Sequence, residues 1–505
     1  MSLPLYHLLW HVPRLMFALY LRAALVCLAW LLLPAVAEAG GYYLSDIGTR
    51  GMGRAGAFVA APDNVLAIHY NPAGLALLKG LHTETSITLV FTDIRFDRHC
   101  PCVADSQSDA ATLDAALESR FAENPSQANT TLLVPFIGAA YGFDWHDLTV
   151  GFGIWGPNSG QFEYGNLPSP SLPRFAREAP SFPSRYSGIK VRTYEANFAL
   201  GVGFSLFSNL RLGASAIVFQ SGNDQTLHLW ANSNLLGPEG PEDVNLDIPL
   251  RLDFLETFGL NWSLGASYDL PGGFSIGTSF RGKRSIRTDG TIDIELPPTL
   301  GGDPPLVSVL GRNVEVELNT APLWRVGLQY RKPGWLTAEA AFVWEHWSVH
   351  ERVVVRGQDI RFSVLGTEME LEPIVADRRW EDTWSIRVGG ELHALEPWVS
   401  GRFGYFYEPS AIPSEWLDPS RIDLDKHGVS LGIATELYGF KLEISGMYVG
   451  LISEDVVDSR QLQVGPLASR ELLTTVANGI YSGQYFMVST ALTFALDGLL
   501  SETAN

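Results

Sequence analysis

The chain has 505 residues, of which 46% are hydrophobic, 11% aromatic and 18% charged, with 49 glycines; that is poorer in charge than the roughly 25% of an ordinary soluble domain. A formal net charge of −20, from 35 basic against 55 acidic residues, speaks against a broad basic face for nucleic acid. Length decides little, because a large barrel runs as one unit, while plentiful apolar, aromatic and small residues suit a transmembrane barrel with aromatic girdles.

Residues 1–39 read as an export signal. Arg14 and Arg22 precede the apolar run from Ala23 to Leu33, and Ala-x-Ala cleavage sites follow at 35–37 or 37–39. The alternative is an uncleaved N-terminal anchor, since Leu3 to Met16 are also fairly apolar. No later stretch holds the roughly 18 uninterrupted apolar residues of a helical span, so beyond this point a membrane would be crossed by strands.

Residues 40–80 are rich in Gly and Ala and too interrupted for a long helix or a strand. They read as a compact, irregular plug, or hatch. Two motifs stand out in it: Gly51-Met52-Gly53-Arg54-Ala55 and Asn71-Pro72-Ala73-Gly74. In the second, Pro72 restricts Asn71 to extended geometry and Asn71 is a natural turn former.

From 81 to 496 the sequence alternates. Between Arg192 and Leu206, Tyr194, Phe198, Leu200, Val202, Phe204 and Leu206 share one face, while Glu195, Asn197, Gly201 and Gly203 share the other. About fourteen such runs are expected, near 81–96, 132–144, 147–157, 190–207, 209–221, 254–269, 273–286, 314–331, 334–347, 381–394, 397–408, 427–438, 440–451 and 483–496. Short connections such as Leu270-Pro271-Gly272-Gly273 and Lys332-Pro333-Gly334 alternate with long ones near 97–131, 158–189, 222–253, 287–313, 348–380, 409–426 and 452–482. That is the plan of an outer-membrane barrel with short periplasmic turns and long external loops. A soluble β-sandwich or propeller is the other fold that alternation suits. Residues 497–505 form a C-terminal tail.

The parity of the runs turns Glu195, Arg211, Arg281, Arg325, Glu339, Arg387, Glu391, Arg402, Glu436, Lys441 and Glu443 into the lumen, where they can pair with one another and with Arg54 or Asp63 of the plug. In the third run, Gly151, Gly153, Gly156 and Pro157 either weaken strand pairing or give close packing against the plug. The following loop carries Phe162, Tyr164, Phe175, Phe182 and Tyr186, which either collect greasy ligands or pack the loop onto the rim. Cys100 and Cys102 flank Pro101, and a local disulfide suits an exported chain better than a metal site. Segment 108–121 spaces Leu113, Leu117 and Phe121 as a short amphipathic loop helix.

The two plug motifs directly after an export signal resemble the N-terminal hatch of the FadL family, outer-membrane transporters of long-chain fatty acids and related hydrocarbons. Val134-Pro135, Trp155-Gly156-Pro157-Asn158-Ser159-Gly160, Pro322 to Gly327, Trp347-Ser348 and Arg402 to Tyr407 are similar to that family's strand signatures. The resemblance implies an all-β barrel of about 14 strands with a hatch in its lumen. It implies passive uptake of a hydrophobic small molecule past the hatch and lateral release into outer-membrane lipid at the third strand, with no cofactor. Barrel-assembly machinery would serve as a partner during biogenesis. Two alternatives are an open porin-type channel, and an outer-membrane lipid hydrolase with a Ser/His pair on neighbouring strands. No linear motif of an enzyme is present.

Overall fold

In an alternating run, successive side chains point to opposite faces, so a run that is apolar on one face and small or polar on the other is satisfied in a wall with lipid outside and a polar interior. The computed structural model describes residues 46–99, 126–156, 160–164, 184–230, 247–297, 301–303, 305, 307–364, 366–370, 373–395, 398–437, 439–462 and 475–496. Among them, 14 antiparallel strands close into a barrel.

In chain order the strands are β1 (Gly80–Arg98), β2 (Ser126–Gly142), β3 (Thr149–Trp155, resuming as Gly160–Glu163), β4 (Lys190–Phe207), β5 (Leu210–Trp230), β6 (Asp247–Leu270) and β7 (Phe274–Arg281 and Arg284–Ile294). They continue as β8 (Asn313–Thr320 and Leu323–Lys332), β9 (Leu336–Glu345 and Arg352–Gly357), β10 (Ile374–Asp377 and Thr383–Leu395), β11 (Val399–Glu408), β12 (Lys426–Leu437), β13 (Phe440–Leu451) and β14 (Gly479–Ala495). Closure comes from β1 against β14, in unbroken register from His82↔Ala495 to Arg98↔Gly479. The sheet is then closed on itself; an open edge in lipid would cost several kcal/mol for each unpaired backbone group.

The strands lie where alternation put them, but several run further at the long-connection end. β2 begins at Ser126, β5 reaches Trp230 and β6 starts at Asp247. Part of what reads as loop near 97–131, 222–253 and 287–313 is therefore strand. The reason is an apolar cluster of its own: Phe219, Leu250, Phe254, Ile292, Val314, Val316 and Val355 pack across β5 to β9 at that end. A small sheet of Val307–Leu310, Arg361–Val364 and Thr367–Glu370 supplies Val307 and Phe362 to the same cluster. Below it Trp324 pairs across to Trp344, and Trp344 to Trp384, forming an outward-facing aromatic row over β8 to β10. Such a row marks a membrane interface.

The helix expected at 108–121, Cys100, Cys102, the signal of 1–39 and the tail of 497–505 lie outside the described residues.

Candidate functional site

Residues 46–79 lie against the inward faces of the strands and are buried almost throughout. They form a helical turn α1 (Thr49–Gly53), a second turn α2 (Ala67–Tyr70) and a 3-10 helix over Pro72–Leu77. Asn71 starts that last helix with an extended backbone, and its Oδ1 accepts the Ala73 amide at 3.1 Å. Pro72 follows at the first helical position, where its missing N–H costs nothing.

The same Asn71 side chain donates through Nδ2 to Val59 O at 2.8 Å and to Ala266 O of β6 at 3.1 Å. One side chain therefore caps a helix, ties it to the preceding loop and fastens both to the wall. Gly74 packs so tightly on Pro62 that a Cβ there would overlap its carbonyl oxygen. Gly53 brings α1 against β13, where a Cβ would stand 2.5 Å from Ser445 Oγ. The wall answers with its own glycines: a Cβ on Gly265 would overlap Asn71, one on Gly277 would stand 2.5 Å from Ala60 O, and one on Gly389 would overlap Arg54 O.

Charge fixes the rest. Arg54 Nη2 donates to Glu339 Oε2 at 3.1 Å, and Glu339 Oε1 accepts the backbone amides of Val59 and Ala60. Arg50 bridges Asp63 at 2.8 Å and Glu391 at 2.9 Å, and Arg387 holds Asp46 at 2.6 Å. Arg402 links Glu391 and Glu443 at 3.0 and 2.9 Å. Glu195 pairs with Arg284 at 2.7 Å, Arg211 with Asp269, and Arg281 and Arg325 meet the His69 carbonyl. Among the charges placed in the lumen by parity, Glu436 differs, being exposed at the end of β12.

Parity also turns further polar groups inward. Glu84 on β1 is fully buried and accepts from Asn64 Nδ2 at 2.8 Å; Thr88, Ser489 and Thr49 form a hydroxyl chain with links of 2.8 and 2.7 Å. Both Glu84 and Thr88 sit at alternate positions of an alternating run, so the signal was present. His69, Asp46 and Arg50 had no periodic signal, because the segment that carries them has none.

At the third strand the geometry is specific. β3 pairs with β2 from Gly142↔Thr149 to Phe136↔Trp155, and with β4 over Thr149–Trp155. It leaves the strand after Trp155, and when it resumes at Gly160 it pairs with β4. Among the described residues, 126–135 of β2 pair with β1 and with no residue of β3. Gly151 and Gly153 face inward, where their Cβ positions would stand 3.4 Å from Leu75 Cδ2 and 3.2 Å from Ile68 Cγ2. Gly156 is buried beside the break, and Pro157 lies outside the described residues.

Beneath the break is an apolar cluster shared by segment and wall, including Phe58, Ile68, Tyr70, Leu75, Phe136 and Trp155. Of the aromatic loop residues, Tyr164 is buried with its hydroxyl on Pro419 O at 2.8 Å, and Tyr186 is buried with its hydroxyl on Asp247 at 2.7 Å. The backbone of Phe162 belongs to the resumed β3, and Phe175 and Phe182 lie outside the described residues. No group of three or more His, Cys, Asp or Glu side chains suited to a metal occurs among the described residues.

The family described as outer membrane protein transport protein (OMPP1/FadL/TodX) matches residues 30–441. Among solved structures, a Pseudomonas aeruginosa FadL homologue superposes with a TM-score of 0.70 at 14% identity, covering 90% of this chain and 100% of its own. The Pseudomonas putida toluene transporter TodX gives 0.59 at 15% identity over 91% of this chain and 99% of its own. The Ralstonia pickettii toluene transporter TbuX gives 0.57 at 14% identity over 89% and 99%. No curated protein matches.

Proposed function

The chain belongs to the OMPP1/FadL/TodX family of outer-membrane transporters of hydrophobic substrates, and from that premise we propose that it takes up a hydrophobic small molecule, a fatty acid or hydrocarbon, past an N-terminal hatch and releases it sideways into the membrane. The barrel lies in the outer membrane. The observation that carries the finer reading is the coincidence of two features at one place. The apolar cluster of Phe58, Ile68, Leu75, Phe136 and Trp155 lies where β2 has, among the described residues, no β3 partner above Phe136. A greasy ligand resting on those side chains is next to a stretch of wall where, among the described residues, β2 and β3 share no ladder hydrogen bonds.

Residues 46–79 act in this reading as the hatch that excludes free diffusion. The solved relatives TodX and TbuX are toluene transporters and the third is a FadL homologue, so both ligand classes enter the test.

Cells making the protein are given a labelled long-chain fatty acid and labelled toluene in parallel. Faster entry of at least one, relative to cells with an empty vector, is the expected result. Entry of neither above that background would overturn the reading, and large steady ion currents from the purified protein in planar bilayers would replace it with a porin.

A further inference from the structure

The lumen wall meets segment 46–79 in two different ways. Towards β2 to β5 the contact is mainly apolar, through Ile68, Leu75, Phe136, Ala140, Ala199 and Ile217, with Ser215 Oγ donating to Ile68 O and Thr149 Oγ1 to Leu78 O. Towards β1 and β11 to β14 it is polar, and there seven side chains, none more than 2% exposed, each carry a polar atom without a hydrogen-bond partner among the described residues. They are Nε of Arg54, Oε1 of Glu84, Oγ of Ser86, Nε and Nη1 of Arg402, Oγ of Ser430, Oε2 of Glu443 and Oγ of Ser445.

These groups are not loose. Arg54 is tied by Nη2 to Glu339, Glu84 by Oε2 to Asn64, and Arg402 by Nη2 to both Glu391 and Glu443 Oε1. Register brings them together: Ser86 and Glu443 both stand opposite Ala491, and Ser445 and Arg402 both stand opposite Gly432. A Cβ on Gly53 would be 2.5 Å from Ser445 Oγ and 3.4 Å from Arg402 Cδ, so segment and wall converge on the same spot.

Leaving a buried donor or acceptor unmade costs about 1–3 kcal/mol, more when it is charged, so a set of seven calls for a ligand. The set mixes donors on two arginines with acceptors on two glutamates and hydroxyls that do either. A cation suits the glutamates but meets Arg54 and Arg402 in the same space; an anion meets the reverse conflict. Water, which makes two to four bonds of either sense, suits all of them.

We propose that this face of the lumen is a built water site: a seam of buried water between segment 46–79 and strands β1 and β11 to β14, leading toward the short-turn end, where Lys441 is partly exposed and Glu436 exposed. The lumen is thus divided lengthwise. One half is dry and apolar, and the other is hydrated and closed to greasy molecules. Segment 46–79 is seated on glycine and apolar contacts on one side and on exchangeable water on the other. The division rests on hydrogen-bond satisfaction and not on the identity of any transported ligand.

Two methionines report on it. Met447 and Met487 face inward opposite one another, one step along from Ser445 and Ser489, and are 1% and 4% exposed. Bulk solvent does not reach them, but hydroxyl radicals made by X-ray pulses from adjacent bound water do. In the intact folded protein both should gain oxygen within about tenfold of their rate in the urea-unfolded chain, while Phe136 in the dry half stays protected. Protection of both methionines equal to that of Phe136 would overturn the seam. Ser445→Val, which puts methyl groups where water would sit, should lower the labelling of Met447 and Met487 several-fold in a barrel that still shows heat-modifiable mobility. Unchanged labelling in that folded variant would remove the site from this place. Should the variant not fold, the wild-type comparison decides alone.

Discussion

Gly265 and Asn71 are matched so closely that a methyl group on the glycine would overlap the Asn71 Oδ1 atom. The Asn71 side chain lies flat on β6, donating to Ala266 O, because its neighbour across the contact has no Cβ. Gly265→Ala should therefore displace the Asn71-Pro72-Ala73-Gly74 turn without breaking the wall. Asn71→Ala should do so by removing three hydrogen bonds, at a cost of about 1–3 kcal/mol for the buried partners left behind. Uptake of a labelled hydrophobic substrate, normalised to folded barrel, should fall in both. Wild-type uptake in both would leave the turn without a functional role.

Glu339 closes a three-point clamp on Arg54, Val59 and Ala60. Glu339→Ala strands a guanidinium that is 1% exposed, and stranding a buried charge costs about 3–5 kcal/mol. The loss falls on the seating of segment 46–79, so trypsin should cut after Arg54 at least a hundredfold faster than in the wild type, by roughly the tenfold per 1.4 kcal/mol rule. A cleavage rate within a few-fold of wild type would show that the glycine seats alone hold the segment.

Removal of residues 40–79 tests whether that segment closes the lumen. The truncated barrel keeps every strand and its closing register. It should insert and conduct ions without selectivity in planar bilayers, where the full chain is quiet. A truncated barrel as silent as the full chain would mean that the wall or the long connections close the passage.

His350 lies beyond the Trp324, Trp344 and Trp384 row, its ring tilted against Trp380 with centroids 4.6 Å apart and its Nδ1 donating to Asn319 O at 2.6 Å. Burial, with the Arg378 and Arg421 cations adding to it, pushes its pKa down to about 3. The unfolded value is about 6.5, so above that pH the imidazole is neutral in both states and makes no difference. Below it the opened form binds a proton that the closed form refuses, and closure weakens by about 1.4 kcal/mol per pH unit until the folded value is approached. Hydrogen exchange of residues 347–352 should accelerate between pH 6 and pH 4, by roughly that factor of ten per unit beyond the intrinsic rate, and His350→Phe should abolish the extra acceleration. The same pH slope in that variant would assign it to another group.

A strand-built wall, the number of strands and the facing of nearly all their charges were legible in the sequence, because each is written locally. Alternation has a period of two, and a single run of Tyr194, Phe198 and Leu200 against Glu195 and Asn197 already says which side is lipid. Family membership was legible too, from Gly51 to Ala55 and Asn71 to Gly74. Local pattern did not carry the outward lengthening of β5 to β9, since Leu250, Val314 and Val355 are apolar on the inner face there and pack on one another instead of lining a polar lumen.

What only the tertiary structure decided is which residue of the segment meets which residue of the wall. Asn71 finds Ala266 across 195 positions and Arg387 finds Asp46 across 341. Those pairs depend on the register of every strand between them and on the final closure of β1 against β14, since one slipped residue would turn each inward charge out to lipid. The polar seam and the dry half arise the same way, from side chains on separate strands and a loop that share no pattern until the barrel closes.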